Sequence, residues 1–221
     1  MIVTFCGHAT FDVTLPDGRR LCLDPYQAGG FGGLVALPPL PDHFDLALCS
    51  HEHGDHNAVE AIPAARRIAA PFSDDTLRID GVVAPHDEHG GRLRGGLVTL
   101  HRISAGGVTL VHCGDLGERP AGALLDWLRE RPIDLLLAPA GGHFTLGPDA
   151  FCELVALTQP ALSMPCHTAD DGTRFAELAP VAWVERRFAR VDRGGSLHLS
   201  PGAHRLDGQP VDGPLVRLRH G

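Results

Sequence analysis

The sequence predicts an α/β sandwich, two sheets packed face to face with helices on the outside. Short strand-like segments separated by turn signals dominate the first half, and helix and strand patterns alternate through the second. Neither half alone covers both faces of its sheet, so packing the halves together beneath an outer helical layer is the economical solution. With 221 residues the chain can bury one sizeable core. No repeat, linker or low-complexity stretch divides it, so residues 1–221 read as a single domain.

Residues 2–5 and 12–15 read as strands, and Pro16-Asp17-Gly18 is a strong turn signal. Residues 21–25 form the next strand and its stop. Residues 26–41 form a Gly- and Pro-rich loop too long to be a mere connector. At its centre, Gly29-Gly30-Phe31-Gly32-Gly33 lacks the strand–helix setting of a phosphate-binding loop, and a substrate-side lid with Phe31 at its tip is expected. Residues 44–50 read as a short buried strand. Residues 57–67 have helical composition, limited by Pro63. Residues 77–84 alternate like a strand and stop at Pro85-His86. Residues 97–103 and 108–113 predict a hairpin around Ala105-Gly106-Gly107. Helix and strand then alternate: an amphipathic helix over 121–131, a strand over 133–138, a helix over 148–157 and a strand over 161–165. Residues 174–187 are helix-like despite Pro180, residues 191–199 predict a hairpin around Gly194-Gly195, and residues 215–218 carry the last packing signal.

Charge and composition exclude several functions. A formal charge of −8 without any basic run argues against a nucleic-acid partner. All 19 cationic residues are Arg, so neither a Schiff-base enzyme nor a P-loop lysine is available. The six cysteines form no C-x-x-C pair and mostly sit in apolar runs, where a free thiol behaves as a small hydrophobe. The start of the chain enters a strand without a basic leader, and no apolar run approaches the roughly 20 residues that span a bilayer. A cytoplasmic location is expected, with no membrane partner.

The chemistry concentrates in His51-Glu52-His53-Gly54-Asp55-His56, directly after the strand at 44–50. In extended chain, residues two apart face one side, so His51 and His53 can converge on one ion. Gly54 permits a sharp bend that re-aims Asp55 and His56 towards a second. A solvated loop does not explain three imidazoles and a carboxylate packed so closely.

His51-x-His53-x-Asp55-His56 resembles the signature of the metallo-β-lactamase superfamily, and the likeness runs from Gly7-His8-Ala9 to Pro165-Cys166-His167. The flanking segments look most like its small single-domain hydrolases, the ascorbate-phosphate lactonase-like group. The resemblance implies a four-layer αββα sandwich with metals along one edge between the sheets. It also implies a ligand set: His51, His53 and His86 for a first ion, Asp55, His56 and His167 for a second, and Asp115 bridging them. His89 competes with His86, but only His86 directly follows a strand, so His89 reads as solvated or adjacent to a ligand. His112 is expected to face the site, next to a ligand or on the substrate side, with a buried, hydrogen-bonded strand histidine as the alternative. Asp24 is expected to orient a ligand imidazole or to cap the turn before Pro25. His8 and His143, with Thr145 close by, match family positions near the pocket. Either histidine could protonate a leaving group, and each is equally readable as a simple loop residue. His43, His101, His198, His204 and His220 show no partner pattern.

Such a donor set suits Zn²⁺, with Mn²⁺ or Fe²⁺ compatible. Two ions about 3.5–4 Å apart would share a hydroxide that attacks a carbonyl carbon or phosphorus, with Asp115 and Asp55 holding it. Ester, lactone or phosphodiester hydrolysis of a small molecule is therefore expected, a lactone by analogy alone. A phosphorylated substrate would find anion contacts in Arg92 or Arg94. A flavodiiron-like redox centre has Glu where this chain has His53, and Glu52 faces the other way. A phosphodiesterase or nuclease of the same fold, and a non-catalytic metal-binding scaffold, are the remaining alternatives. A homo-oligomer is left open.

Overall fold

The computed structural model describes residues 1–93, 96–211 and 213–219. Arg94 and His220, both singled out above, lie outside the described residues.

In the first strand, Val3 and Phe5 are buried while Ile2, Thr4 and Cys6 are half-buried, the period of two that gives a sheet one dry face. The chain lays down β1 (Ile2–Gly7), β2 (Thr10–Thr14), β3 (Arg20–Leu23), β4 (Leu46–Leu48) and β5 (Arg66–Ile68) in one sheet. It then builds β6 (Phe72–Ser73), β7 (Leu77–Pro85), β8 (Leu97–Ala105), β9 (Val108–His112), β10 (Leu135–Pro139), β11 (Leu162–Cys166) and β12 (Val191–Gly194) in a second. β13 (Ser196–Ser200), β14 (Ala203–Leu206) and β15 (Gln209–Pro210) return to the first sheet, and β16 (Leu215–Leu218) joins the second. The orders are β15-β14-β13-β1-β2-β3-β4-β5 and β12-β16-β11-β10-β9-β8-β7-β6.

The inner faces share one apolar core, with Phe5, Phe11 and Leu23 of the first sheet meeting Ile79, Leu137 and Met164 of the second. Each such side chain contributes roughly 1.5–3 kcal/mol by leaving water. The helices Gly122–Arg129 and Pro148–Thr158 cover the outer face of the second sheet through Leu128, Phe151 and Leu154. The outer face of the first sheet is covered differently. Tyr26, Val35, Leu37, Leu40 and Phe44 from the long loop close over Cys22 and Ala47, so a loop serves as that layer. No helix among the described residues is long and apolar enough to cross a membrane.

Three local expectations fail. Residues 191–199 form no hairpin, because β12 pairs in parallel with β16 while β13 pairs antiparallel with β1 and β14. Gly194-Gly195 is a crossing between sheets, held where the Asp207 carboxylate accepts the Gly195 and Ser196 amides. Residues 57–67 yield only a 3₁₀ turn, Val59–Ala61, before β5 pairs with β4; Pro63 cannot donate inside a helix, and strand pairing wins. In residues 174–187 only Ala182–Glu185 is helical, and the stretch before Pro180 is turns and irregular backbone.

The pairing places the site. β3 and β4 run parallel, and β1 is antiparallel to β2, which is antiparallel to β3. The ends of β1, β3 and β4 therefore reach one edge. By the same reasoning β7, β9, β10 and β11 end together in the other sheet. The residues that follow these ends are His8, Asp24, Cys49 to His56, His86, Asp115, His143 and His167.

Candidate metal centre

Several of these residues leave their strands abruptly. His8, Asp24 and His167 each take a left-handed backbone, with φ of 55°, 48° and 52°. One such residue after a strand turns the chain sharply, at a cost of order 1–3 kcal/mol that the surrounding packing must offset. At Gly114 the same turn (φ 50°) lets the Asp115 loop press on Ser50, where an added Cβ would lie 2.5 Å from Oγ.

The side chains gather into two adjoining groups. His51, His53, His86 and Asp115 form one, and His8, Asp55, His56 and His167 form the other, each within 4.8 Å. Asp115 lies at their junction. Its Oδ2 is 3.2 Å from His56 Nε2, 3.3 Å from His86 Nε2, 3.4 Å from His167 Nε2 and 3.9 Å from His51 Nε2. The structure thus brings together every residue of the expected ligand set. His89 is exposed, beside Glu88 at 3.6 Å, and stays out of the cluster.

Hydrogen bonds aim the imidazoles. His56 Nδ1–H donates to Asp24 Oδ2 at 3.0 Å, and His86 Nδ1–H to the Phe144 carbonyl at 3.3 Å. The Ser50 hydroxyl donates to Asp24 Oδ2 at 2.7 Å and so accepts from His51 Nδ1–H at 2.9 Å. In each ring Nε2 is left to face the cluster. His56 Nε2, His86 Nε2 and Asp115 Oδ1 are buried without a hydrogen-bond partner. Buried polar atoms are rarely orphaned, and unsatisfied nitrogens and carboxylate oxygens converging on one place are what a cation satisfies. The residues fit a metal site.

Electrostatics agree. Burial disfavours a charged Asp115, but His167 and His56 beside it hold its carboxyl well below the usual range. Burial likewise opposes charge on His56, yet Asp115 and Asp55 outweigh it and keep the ring protonated well above its ordinary value. Burial pushes His51 down to about 4 and His167 down to about 3. The protein alone thus recruits a proton to neutralise its carboxylates, a charge that a metal cation would supply instead.

Several expectations need correction or extension. His8 does not line the cavity; it is fully buried, its Nε2 3.0 Å from Asp55 Oδ2 and its ring 4.4 Å from that of His167. It holds Asp55 from behind and has no path to a leaving group. His112 also faces away from substrate, donating from Nε2 to Asp24 Oδ2 at 2.9 Å. Asp24 is a hub rather than a turn cap, accepting in addition the Ser50 amide at 2.6 Å. Thr145 turns inward, donating to the Gly142 carbonyl. His143 is exposed and lines the cavity. Ser50 escaped the sequence reading, because a serine before a histidine carries no signal of its own.

Above the cluster lies a chamber of about 300 Å³ whose apolar wall is Phe31, Phe144, Phe175 and Leu178. Phe31 and Phe175 meet edge to face at 5.9 Å, so the glycine-flanked tip of the long loop leans on the segment after β11.

The sequence profile of the "Beta-lactamase superfamily domain" matches residues 2–167. A "UPF0173 metal-dependent hydrolase" of Thermococcus onnurineus is 29% identical, over 90% of this chain and 96% of its own. One from Thermofilum pendens is 33% identical, over 74% of this chain and 81% of its own. Among solved structures, a Thermotoga maritima protein described as a candidate Zn-dependent hydrolase of the metallo-β-lactamase superfamily has the same fold. It superposes with a TM-score of 0.69 at 23% identity, covering 97% of this chain and 96% of that one. The chain belongs to the metallo-β-lactamase superfamily and, within it, to the UPF0173 metal-dependent hydrolases.

Proposed function

We propose that this protein hydrolyses an ester or lactone bond of a small molecule at a pair of divalent cations, Zn²⁺ by donor type. The observation that carries this reading is Asp115 Oδ2, set within 3.2–3.9 Å of four imidazole nitrogens, with Oδ1 unpaired at the junction of the two groups. His51, His53 and His86 would hold one cation, Asp55, His56 and His167 the other, and Asp115 both. When bound, such a pair supplies Lewis acidity and lowers the pKa of a shared water towards about 7.

The chain's own residues do the rest. Asp115 and Asp55 line the chamber floor and hold the attacking water, with Asp115 the acceptor for its proton. Asp24, through His56 directly and through Ser50 to His51, keeps the Nε2 atoms facing inward. His143, on the chamber wall, is placed to return a proton to the leaving oxygen. The apolar wall excludes bulk water and favours a neutral acyl group.

The lining also bears on the alternatives. No arginine among the described residues lines the chamber, so a neutral carbonyl at the reacting centre is favoured over a phosphodiester. The net acidic chain gives a nuclease no electrostatic footing. Two converging groups under an open chamber exceed what a metal-binding scaffold needs. The test is hydrolysis of 4-nitrophenyl esters, lactones and bis(4-nitrophenyl) phosphate, with metal analysis, by wild type, His53→Ala and Asp115→Ala. Both variants should lose metal and turnover. An active Asp115→Ala enzyme, or activity indifferent to a chelator, would refute the reading.

A further inference from the structure

We infer that the reaction chamber opens into an outer subsite that binds a remote anionic group of the substrate, a carboxylate or a phosphate, through Arg186 beside Trp183. This rests on the hydrolase reading above and extends it from a bond type to a substrate shape.

On the side of the loop 142–145 the chamber has an immediate neighbour. His143 and Phe144 line both the chamber and a neighbouring cleft of about 410 Å³. That cleft shares Glu88, Gly117, Thr145 and Gly147 with a third hollow of about 970 Å³. The three adjoin through these shared walls and together mark out a groove from Asp115 to Trp183. The chamber by itself matches a small acyl group, and the whole groove matches a longer molecule.

Its far end has a distinct chemistry. Trp183 is 49% exposed and lines this hollow, so its ring is available to a ligand there. The Arg186 guanidinium lies 5.7 Å from the Trp183 ring centroid. Of the groove's other two arginines, Arg187 is bound to Asp149 and Arg119 to Glu153. Arg186, among the described residues, has no carboxylate partner. In a chain of formal charge −8, a cation left unneutralised in a groove stands apart from its surroundings. A guanidinium steadied against an aromatic ring presents its fork to a carboxylate or phosphate and loses little freedom on binding one. Glu88 and Glu118 line the same hollow on other segments and would repel an anion placed anywhere but near Arg186. A neutral reacting group under Phe31 and Phe175 and an anionic end at Arg186 together define an elongated, amphiphilic ester or lactone.

The test compares three substrates on metal-loaded enzyme: 4-nitrophenyl dodecanoate, long enough to reach beyond the chamber, and its ω-carboxylate and ω-phosphate analogues. KM for the anionic pair should lie about tenfold below that of the neutral ester, the scale of one charge-assisted hydrogen bond. Arg186→Gln should remove that preference, with kcat and the neutral KM held within about twofold, and Arg186→Lys should restore part of it. The analogue with the larger preference identifies the anion. An undiminished preference in Arg186→Gln, or an equal change for all three esters, overturns the subsite. If wild type hydrolyses none of them, the reaction class is wrong, and binding alone decides the subsite. Adipate and hexyl phosphate should then quench Trp183 fluorescence, with no quenching in Trp183→Phe and affinity lowered about tenfold in Arg186→Gln. Absence of quenching in wild type overturns it.

Discussion

The carboxylate of Asp24 accepts the Nδ1 proton of His56 at 3.0 Å, and both groups are fully buried. One bond thereby fixes the tautomer and direction of a ring that faces Asp115. Replacing Asp24 by Asn exchanges an acceptor for an amide that must face the Ser50 and His112 donors. Metal affinity should fall about 10–100-fold in Asp24→Asn, measured by chelator competition, and the melting temperature should drop as well. Unchanged affinity would mean that the hub does not aim the ring.

Protons and metal compete for the same cluster. Because Asp115 and Asp55 hold His56 protonated in the metal-free protein, loading a cation must release that proton. Apparent metal affinity should therefore rise with pH. Chelator competition between pH 6 and 8.5 with proton release followed by calorimetry in two buffers checks this, and a flat profile would contradict it.

His101 predicts acid sensitivity outside the ligand set. Burial, with His112 opposite it in the β8–β9 ladder, lowers its pKa to about 4. Below about 6.5 the unfolded chain binds a proton that the folded one refuses, so stability falls as pH drops from 6.5 towards 4. By pH 5 this one group costs about 2 kcal/mol. His101→Leu should flatten that part of the metal-free protein's urea-denaturation profile relative to wild type.

Gly114 tests how tightly the Asp115 loop is seated. A methyl group there meets Ser50 at 2.5 Å and asks an alanine to hold φ near 50°. Gly114→Ala should cost about 1–3 kcal/mol of stability and release metal, because Asp115 and Ser50 are displaced together. Thermal melts and metal analysis report the two effects separately.

Phe31 is 48% exposed, so its removal should barely alter stability. Phe31→Ala should instead raise KM about tenfold for apolar esters by removing one wall of the chamber, with the melting temperature unchanged. An unaltered KM would detach the loop tip from substrate binding.

Much of the site was legible because its residues sit in short local patterns at strand ends. His51 to His56, Cys113-Gly114-Asp115 and Cys166-His167 each announce themselves, and parallel pairing then brings the ends together. Orientation was less legible. His8 and His112 occupy strand ends as His167 does, yet they point behind the site, a fact fixed by carboxylate partners dozens of residues away. Gly194-Gly195 looks alike whether the chain reverses or changes sheets, and only the competition between β1 and β16 for the flanking strands decides. The outer hollow is lined largely by loop residues whose hydropathy carries no period, so nothing in the pattern points to Arg186 or Trp183.

The loop that covers the first sheet also carries Phe31. Tyr26 secures it by donating to the carbonyls of Cys6 and Pro38, and Val35 and Leu37 are sunk into the outer core. Its stem belongs to the scaffold, and only the turn at Gly29–Gly33, rich in left-handed backbone, stands clear of it. Residues in that short tip can be exchanged to suit another molecule while the architecture beneath stays as it is, so diversification of what the enzyme accepts need not be traded against folding.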